Sequence, residues 1–341
     1  MSLNTAPWQS DDAYEQMVGT LFNYWACWTV YAVAHLSIAD HLASGNLTAA
    51  EVARREGSAP HTTLRLMRAG AAVGLLTEDA NERFGSTPLL ETLRSDDPRS
   101  LRPFVLSQMA SWLPWDRFVA SIRDGVTRST EAFGGSPFDF LAAHPEEAER
   151  FSAAMDGLTA LWGPAIAKVI GTRGVRCAVD VGGANGALLM LLQRDNLDLR
   201  GIVFDRPNIA EYAHVDVTRS CFAERTTVVG GDFFESVPQG DLLLLKFILH
   251  DWSDDECIII LERCRQALAP AGRIAVIDSI VGPNNPRAAL FDMNMLMGCT
   301  GRERTIDEFD ELFGVAGLQR IAVRDTGTPQ SVIELTVAEA E

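Results

Sequence analysis

Residues 176–205 read RCAVDVGGANGALLMLLQRDNLDLRGIVFD. A short apolar run, RCAVDV, breaks at a pair of glycines. ANGALLMLLQRD then has the length and leucine spacing of a helix, and a second apolar run, RGIVFD, follows. The pattern continues downstream with TTVVGGDFF, DLLLLKFIL and GRIAVIDSI, mostly separated by helical segments. Alternation at this spacing predicts an α/β fold, a parallel sheet covered by helices on both faces. Near the end, LQRIAVRD and SVIELTVA are separated only by TGTPQ, too short for a parallel crossover, so an antiparallel edge strand is expected.

Composition narrows the function before any motif is read. The 341 residues carry a formal net charge of −17, and the only lysines are Lys168 and Lys246. So acidic a chain is not expected to bind nucleic acid or an anionic membrane, because phosphate binding needs clustered positive charge. Six scattered cysteines without a C-x-x-C pair imply reduced thiols in the cytoplasm, and no cluster has metal-ligand spacing, so no metal site is expected. The stretch QMVGTLFNYWACWTVYAVAHLSIA, residues 16–39, lacks formal charge but is interrupted by Gln16, Asn23, Thr29 and His35. It reads as a helix in a homodimer interface, with Phe22, Trp25, Trp28 and Tyr31 supplying contact area, rather than as a membrane span.

Three regions follow. Residues 1–100 read as a helical, winged-helix-like domain, residues 101–172 as a helical linker region, and residues 173–341 as the α/β domain. Thr48 with Glu51 forms a capping-box pattern, Ser58-Ala-Pro a turn, and LLTEDANERFGSTP a wing-like hairpin. A winged helix suggests DNA binding, but residues 1–100 hold 7 Arg and no Lys against 12 Asp plus Glu. The wing is therefore expected to be scaffold, and a ligand-binding regulator is the weaker alternative.

In an open parallel sheet, ligands sit at the carboxyl ends of the strands. There the sequence places DVGGANG (Asp180 to Gly186), Asp205, Asp232 with Phe233, and Lys246 with His250. The glycine loop approaches a ligand closely, a carboxylate such as Asp205 accepts from ribose hydroxyls, and Asp232 and Phe233 suit an adenine amino group and face. Ala184 stands where G-x-G-x-x-G has its second glycine, which disfavours a pyrophosphate and hence a nicotinamide-dependent oxidoreductase. The set describes an adenosine-containing ligand without a diphosphate.

VDVGGANG, FDRP, GDFF, LKFILHDWSDDE and GRERT together resemble the S-adenosylmethionine-dependent O-methyltransferases of the plant caffeate and bacterial antibiotic-tailoring type. The resemblance implies that residues 173–341 are a Rossmann-like, S-adenosylmethionine-binding catalytic domain, residues 101–172 a linker and substrate-pocket region and residues 1–100 a dimerisation domain. It also implies methyl transfer from S-adenosylmethionine to a small aromatic hydroxyl in secondary metabolism. Gly182, Asp205, Asp232, Phe233 and Lys246 match the cofactor-binding positions, His250 the general base, and Asp278 and Glu303 two acids flanking it. Asp278 stands where relatives often have the longer Glu, and Ala184 is tolerable there if φ stays negative.

Local sequence presents the histidine. Ser253 with Glu256 is a second capping-box pattern, so a helix starts just after His250 and leaves it exposed on the loop 250–252. A carboxylate on one ring nitrogen fixes the tautomer and frees the other to accept a proton; Glu303 is the stronger candidate for that role and Asp278 the weaker. For the substrate, Asp292 and Asn294 are candidates to orient a hydroxyl, and Met155 and Trp162 to wall the pocket. Met293, Met295 and Met297 read as helix residues that serve either the core or the pocket.

Overall fold

The computed structural model of the chain describes residues 11–110 and 113–338. Among these, residues 11–110 form one compact unit with Glu149–Leu158, and residues 113–148 form a second with residues 159–338. The stretch 101–172 thus divides between both.

The first unit runs α1 (Ala13–His35), α2 (Ile38–Leu42), β1 (Leu47–Thr48), α3 (Ala49–Glu56), α4 (Pro60–Ala72), β2 (Leu76–Glu78), β3 (Arg83–Ser86), α5 (Pro88–Glu91) and α6 (Arg102–Ala110). Thr48 caps α3 as its sequence implies. Its hydroxyl accepts from the Glu51 N–H at 3.3 Å, and the Glu51 carboxylate accepts from the Thr48 N–H at 2.7 Å. β2 and β3 form the expected antiparallel wing, with Leu76 opposite Ser86, and β1 pairs with β3. Val33, Ile38, Leu42, Val52, Met67, Phe84 and Leu90 fill the core beneath. One face of α1 is left uncovered in the single chain: Tyr14, Met17, Leu21 and Trp25 are all exposed, Trp25 at 61 %. No described helix is long and apolar enough to cross a membrane.

The second unit carries α7 (Phe118–Asp124), α8 (Ser129–Phe133), α9 (Pro137–Ala143) and the ends of α10 (Pro145–Val169). Then come β4 (Cys177–Val181), α11 (Ala187–Asp195), β5 (Arg200–Asp205), α12 (Pro207–Arg219), β6 (Thr226–Gly230), β7 (Gly240–Lys246), α13 (Asp254–Ala267), β8 (Leu268–Asp278), α14 (Pro286–Gly298), α15 (Ile306–Val315), β9 (Leu318–Asp325) and β10 (Ser331–Val337). Among the described residues the strands form one sheet in the order β6-β5-β4-β7-β8-β10-β9. β4 to β8 pair in parallel, while β10 is antiparallel to both β8 and β9. The expected antiparallel edge is therefore a hairpin, with β10 inside and β9 outermost.

Successive side chains of a strand point to opposite faces, and β7 fills two cores by that rule. Leu243 and Leu245 join Val179, Val181, Ile274 and Val276 under α13 and α15. Leu242 and Leu244 join Ala178, Val203 and Ile277 under α11, α12 and the end of α10. All four leucines are fully buried, and burying each contributes about 1.5–3 kcal/mol. This anchoring fixes where the strand ends, and so where Lys246 and His250 emerge.

Candidate active site

β7 ends at Lys246, and the chain then turns sharply. Phe247 adopts φ +57°, a conformation that costs a non-glycine residue of order 1–2 kcal/mol. Leu249–Asp251 form a single 3₁₀ turn. Ser253 then caps α13 through the capping box its sequence implies. His250 was expected on an exposed loop, but it is buried at 8 % exposure. Its ring stacks on Phe247 at 5.2 Å, and the segment Gly301–Arg304 covers the turn from the other side.

Glu303 lies within that covering segment. Its Oε1 meets His250 Nδ1 at 2.9 Å, and its backbone N–H donates to Asp292 Oδ1 at 3.0 Å. Asp292 thus anchors Glu303 from α14. Asp278 ends β8 fully buried, yet neither carboxylate oxygen has a hydrogen-bond partner among the described residues. It makes no hydrogen bond to His250, and acts on it through space. On the opposite side of the ring, Asp251 Oδ1 lies 3.7 Å from Nε2.

Burial alone disfavours a charged imidazole. Here Asp251, the hydrogen bond to Glu303 and the charges of Asp278 and Glu303 outweigh it and lift the His250 pKa to about 10. Burial pushes Asp251 up to about 6 and raises Asp278 as well. Because the folded value lies above the ordinary 6.5, the protonated pair stabilises the fold fully below pH 6.5. That contribution is lost as pH rises through 10. Glu303→Gln is expected to lower the His250 midpoint, read from the ¹³Cε1 NMR signal. The stability gap between wild type and variant in urea unfolding should narrow between pH 7 and pH 10. A midpoint that stays near 10 in the variant would show that Glu303 does not hold the ring.

The glycine turn leads to the next part of the site. Gly182 has φ +68°, and a Cβ there would sit 2.4 Å from Ile248 Cδ1 and 3.9 Å from the Phe233 ring. Backbone, Phe233 and the residue two before His250 therefore converge. Ala184 was judged tolerable on the condition of a negative φ, but it has φ +48°. Its N–H donates to Asp205 Oδ2 at 2.9 Å, a bond from the neighbouring strand that holds the left-handed turn. The other oxygen, Oδ1, accepts the Arg206 N–H at 2.7 Å, and burial raises the Asp205 pKa. Asp232 is exposed and accepts the Phe234 N–H at 2.9 Å. Lys246 is half-buried, its ammonium 4.8 Å from the centre of the Phe247 ring. Burial pushes Asp180 up to about 6 against the pull of Lys246.

The substrate candidates sit on two elements, α10 and α14. Asn294 is half-buried on α14 and makes no side-chain hydrogen bond among the described residues. Asp292 is committed through one oxygen to Glu303. Trp162 packs against the core of Ile166, Leu188 and Leu189. Met155 belongs to the first unit. Met295 and Met297 are buried, and Met293 is half-buried.

Sequence reading passed over an aromatic group beside the turn. Trp252 stacks on Phe138 of α9 at 5.4 Å, meets Phe233 and Phe234 edge-on, and the Arg206 guanidinium lies over Phe138. The signal was the aromatic pair in SPFDF, which spacing alone does not connect to the sheet.

A parallel sheet with a glycine turn, a strand-end carboxylate and a buried His–Glu pair defines a Rossmann-like methyltransferase. Residues 115–319 match the O-methyltransferase domain and residues 18–96 the O-methyltransferase dimerisation domain. The chain belongs to this O-methyltransferase family and is an S-adenosylmethionine-dependent enzyme. It is 32 % identical over 315 residues to phenazine O-methyltransferase PhzM of Lysobacter antibioticus, covering 91 % of this chain and 92 % of that one. The solved structure of LaPhzM superposes with a TM-score of 0.92 at 31 % identity, over 96 % and 99 % of the two chains. NcsB1 of neocarzinostatin biosynthesis, solved with S-adenosylmethionine and 2-hydroxy-5-methyl naphthoic acid, gives a TM-score of 0.80 at 31 % identity, over 92 % and 96 %.

The residues present fit the cofactor. Gly182 keeps the turn free of a side chain, Asp205 keeps lone pairs beyond its two backbone bonds, and the Phe233 ring lies beside the turn, the features that an adenosine would need there.

Proposed function

We propose that this enzyme methylates a phenolic hydroxyl of a small aromatic molecule in secondary metabolism, and that His250 removes the proton. The observation that carries this reading is the 2.9 Å contact between His250 Nδ1 and Glu303, which leaves Nε2 as the nitrogen that accepts a proton. Asp205, Asp232, Phe233 and Lys246 would hold the cofactor. When bound, S-adenosylmethionine supplies the methyl group and a sulfonium charge that disfavours a protonated imidazole beside it. The solved relative with a hydroxynaphthoic acid and the phenazine-modifying relative support an aromatic acceptor. The exposed apolar face of α1 is the surface we assign to pairing with a second copy of the chain.

Magnitudes favour a positioned base. A phenol has a pKa of about 10 and an ordinary imidazole about 6.5, so for an unassisted ring complete prior deprotonation is uphill by roughly 5 kcal/mol; the acids around His250, which raise its pKa, reduce that climb. Removing the proton as the methyl group moves avoids most of that climb, and a positioned base contributes on the order of 10²–10⁴-fold. His250 must be neutral to do this, so turnover should rise with pH through its midpoint in the cofactor complex. Methyl-labelled S-adenosylmethionine, offered with a panel of phenols, aliphatic alcohols and aromatic amines, tests the assignment. Label is expected in phenol ethers, from a protein that sediments as a pair. Label found only in amines or aliphatic ethers would sink the reading.

A further inference from the structure

Arg304 is fully buried, and every N–H of its guanidinium has an acceptor. Nε donates to Asp254 Oδ1 at 3.0 Å. Nη1 donates to the Leu249 carbonyl at 2.8 Å and the Arg302 carbonyl at 3.2 Å. Nη2 donates to the Trp252 carbonyl at 2.9 Å and again to Asp254 Oδ1 at 2.7 Å. Leu249 and Trp252 bracket His250 and Asp251, so one planar cation holds both ends of the turn that carries the base. A fork of five fixed donors suits this task, and an ammonium with three donors on a flexible stem does not.

Two further contacts show how closely the segment fits the turn. A Cβ on Gly301 would lie 2.1 Å from the His250 carbonyl oxygen and 2.4 Å from the Trp252 nitrogen, so backbone packs directly on backbone there. The carbonyl of Arg304 accepts the Val281 N–H at 2.9 Å, tying the same residue to the exit of β8 just beyond Asp278. In four residues, Gly301 makes room for the turn, Glu303 holds the ring and Arg304 holds the backbone on either side.

We infer that Arg304 is a positioning residue for the methyl-transfer reaction, fixing the 3₁₀ turn so that His250 meets both Glu303 and the acceptor hydroxyl. This rests on His250 serving as the base, and the test keeps the two claims apart. Arg304→Lys retains the charge but not the fork. In protein with ¹³Cε1-labelled histidine, the His250 signal is assigned by its absence in His250→Ala, and its titration is followed in the presence of S-adenosylhomocysteine. The charges facing the ring are Asp251, Glu303 and Asp278, and Arg304 acts on Asp278.

If Arg304 positions the turn, the midpoint falls by about one pH unit as the Glu303 contact loosens. kcat falls about tenfold or more, while S-adenosylhomocysteine affinity stays within about twofold. Loss of a positive charge would instead raise the midpoint, and the lysine variant removes that effect. Should Arg304→Lys not fold, Asp254→Asn takes its place, since Asp254 is a surface residue that supplies two of the five acceptor contacts. An unchanged His250 midpoint and unchanged kcat in either folded variant, even with lowered thermal stability, overturn the inference and leave Arg304 a structural residue. A rate unaffected by His250→Ala would refute the base, yet the NMR midpoint would still report whether Arg304 sets the turn.

Discussion

His250→Ala is expected to lower kcat for a phenolic acceptor by about 10²–10⁴-fold and leave measurable turnover. The loss is the proton-accepting group. What survives is the alignment of oxygen, methyl carbon and sulfur, which in ideal cases supplies roughly 7–11 kcal/mol of the barrier reduction. The substitution also removes a buried ring from between Phe247 and Glu303, so thermal stability should fall. Binding of S-adenosylhomocysteine separates the two effects. The residues proposed to hold the cofactor lie at or just past the ends of β4, β5, β6 and β7, outside the turn that carries His250, so affinity should hold while kcat collapses. A parallel loss of affinity would mean that the substitution had unfolded the top of the sheet.

Gly182→Ala should weaken S-adenosylhomocysteine binding at least about tenfold in calorimetry. The backbone there sits at φ +68°, where a Cβ costs about 1–2 kcal/mol. The new methyl group would also lie 2.4 Å from Ile248 Cδ1, and overpacking of that kind costs roughly 1–3 kcal/mol. Either relief moves the site: the turn swings away from Phe233, or Ile248 shifts and carries the His250 turn with it. Both cofactor affinity and kcat should therefore drop, unlike the His250→Ala pattern. Binding within about twofold of wild type would show that the turn is not where the cofactor approaches the backbone.

The sheet was legible because its information is local. Four consecutive leucines, Leu242–Leu245, mark a strand buried on both faces, and the recurrence of such runs between helices implies parallel pairing. Capping boxes at Thr48 and Ser253 were legible for the same reason, being four-residue patterns. Information that failed was long-range. His250 looked exposed because its own neighbours leave it so, and the residue that meets its ring lies 53 positions away. The left-handed turn at Ala184 is held by the hydrogen bond that its N–H donates to Asp205, on the next strand. The sequence ranked Glu303 above Asp278 as the partner of the histidine without placing either carboxylate. Only Glu303 has a backbone held by Asp292 that brings its carboxylate to Nδ1. The middle region 101–172 read as one stretch because it is mostly helical, yet α10 contributes Glu149–Leu158 to one compact unit and its remainder to the other.

The central claim is that His250 takes the phenolic proton, and acceptor acidity tests it most directly. Wild type and His250→Ala are compared with a series of phenols whose pKa values run from about 10 down to about 7, at one fixed pH. An ordinary phenol needs the base, whereas one already largely ionised does not. The deficit of the variant is therefore expected to shrink from about 10²–10⁴-fold at the weakly acidic end to within about tenfold at the acidic end. A deficit that stays constant across the series would contradict proton removal by His250, and leave the residue a structural part of the turn.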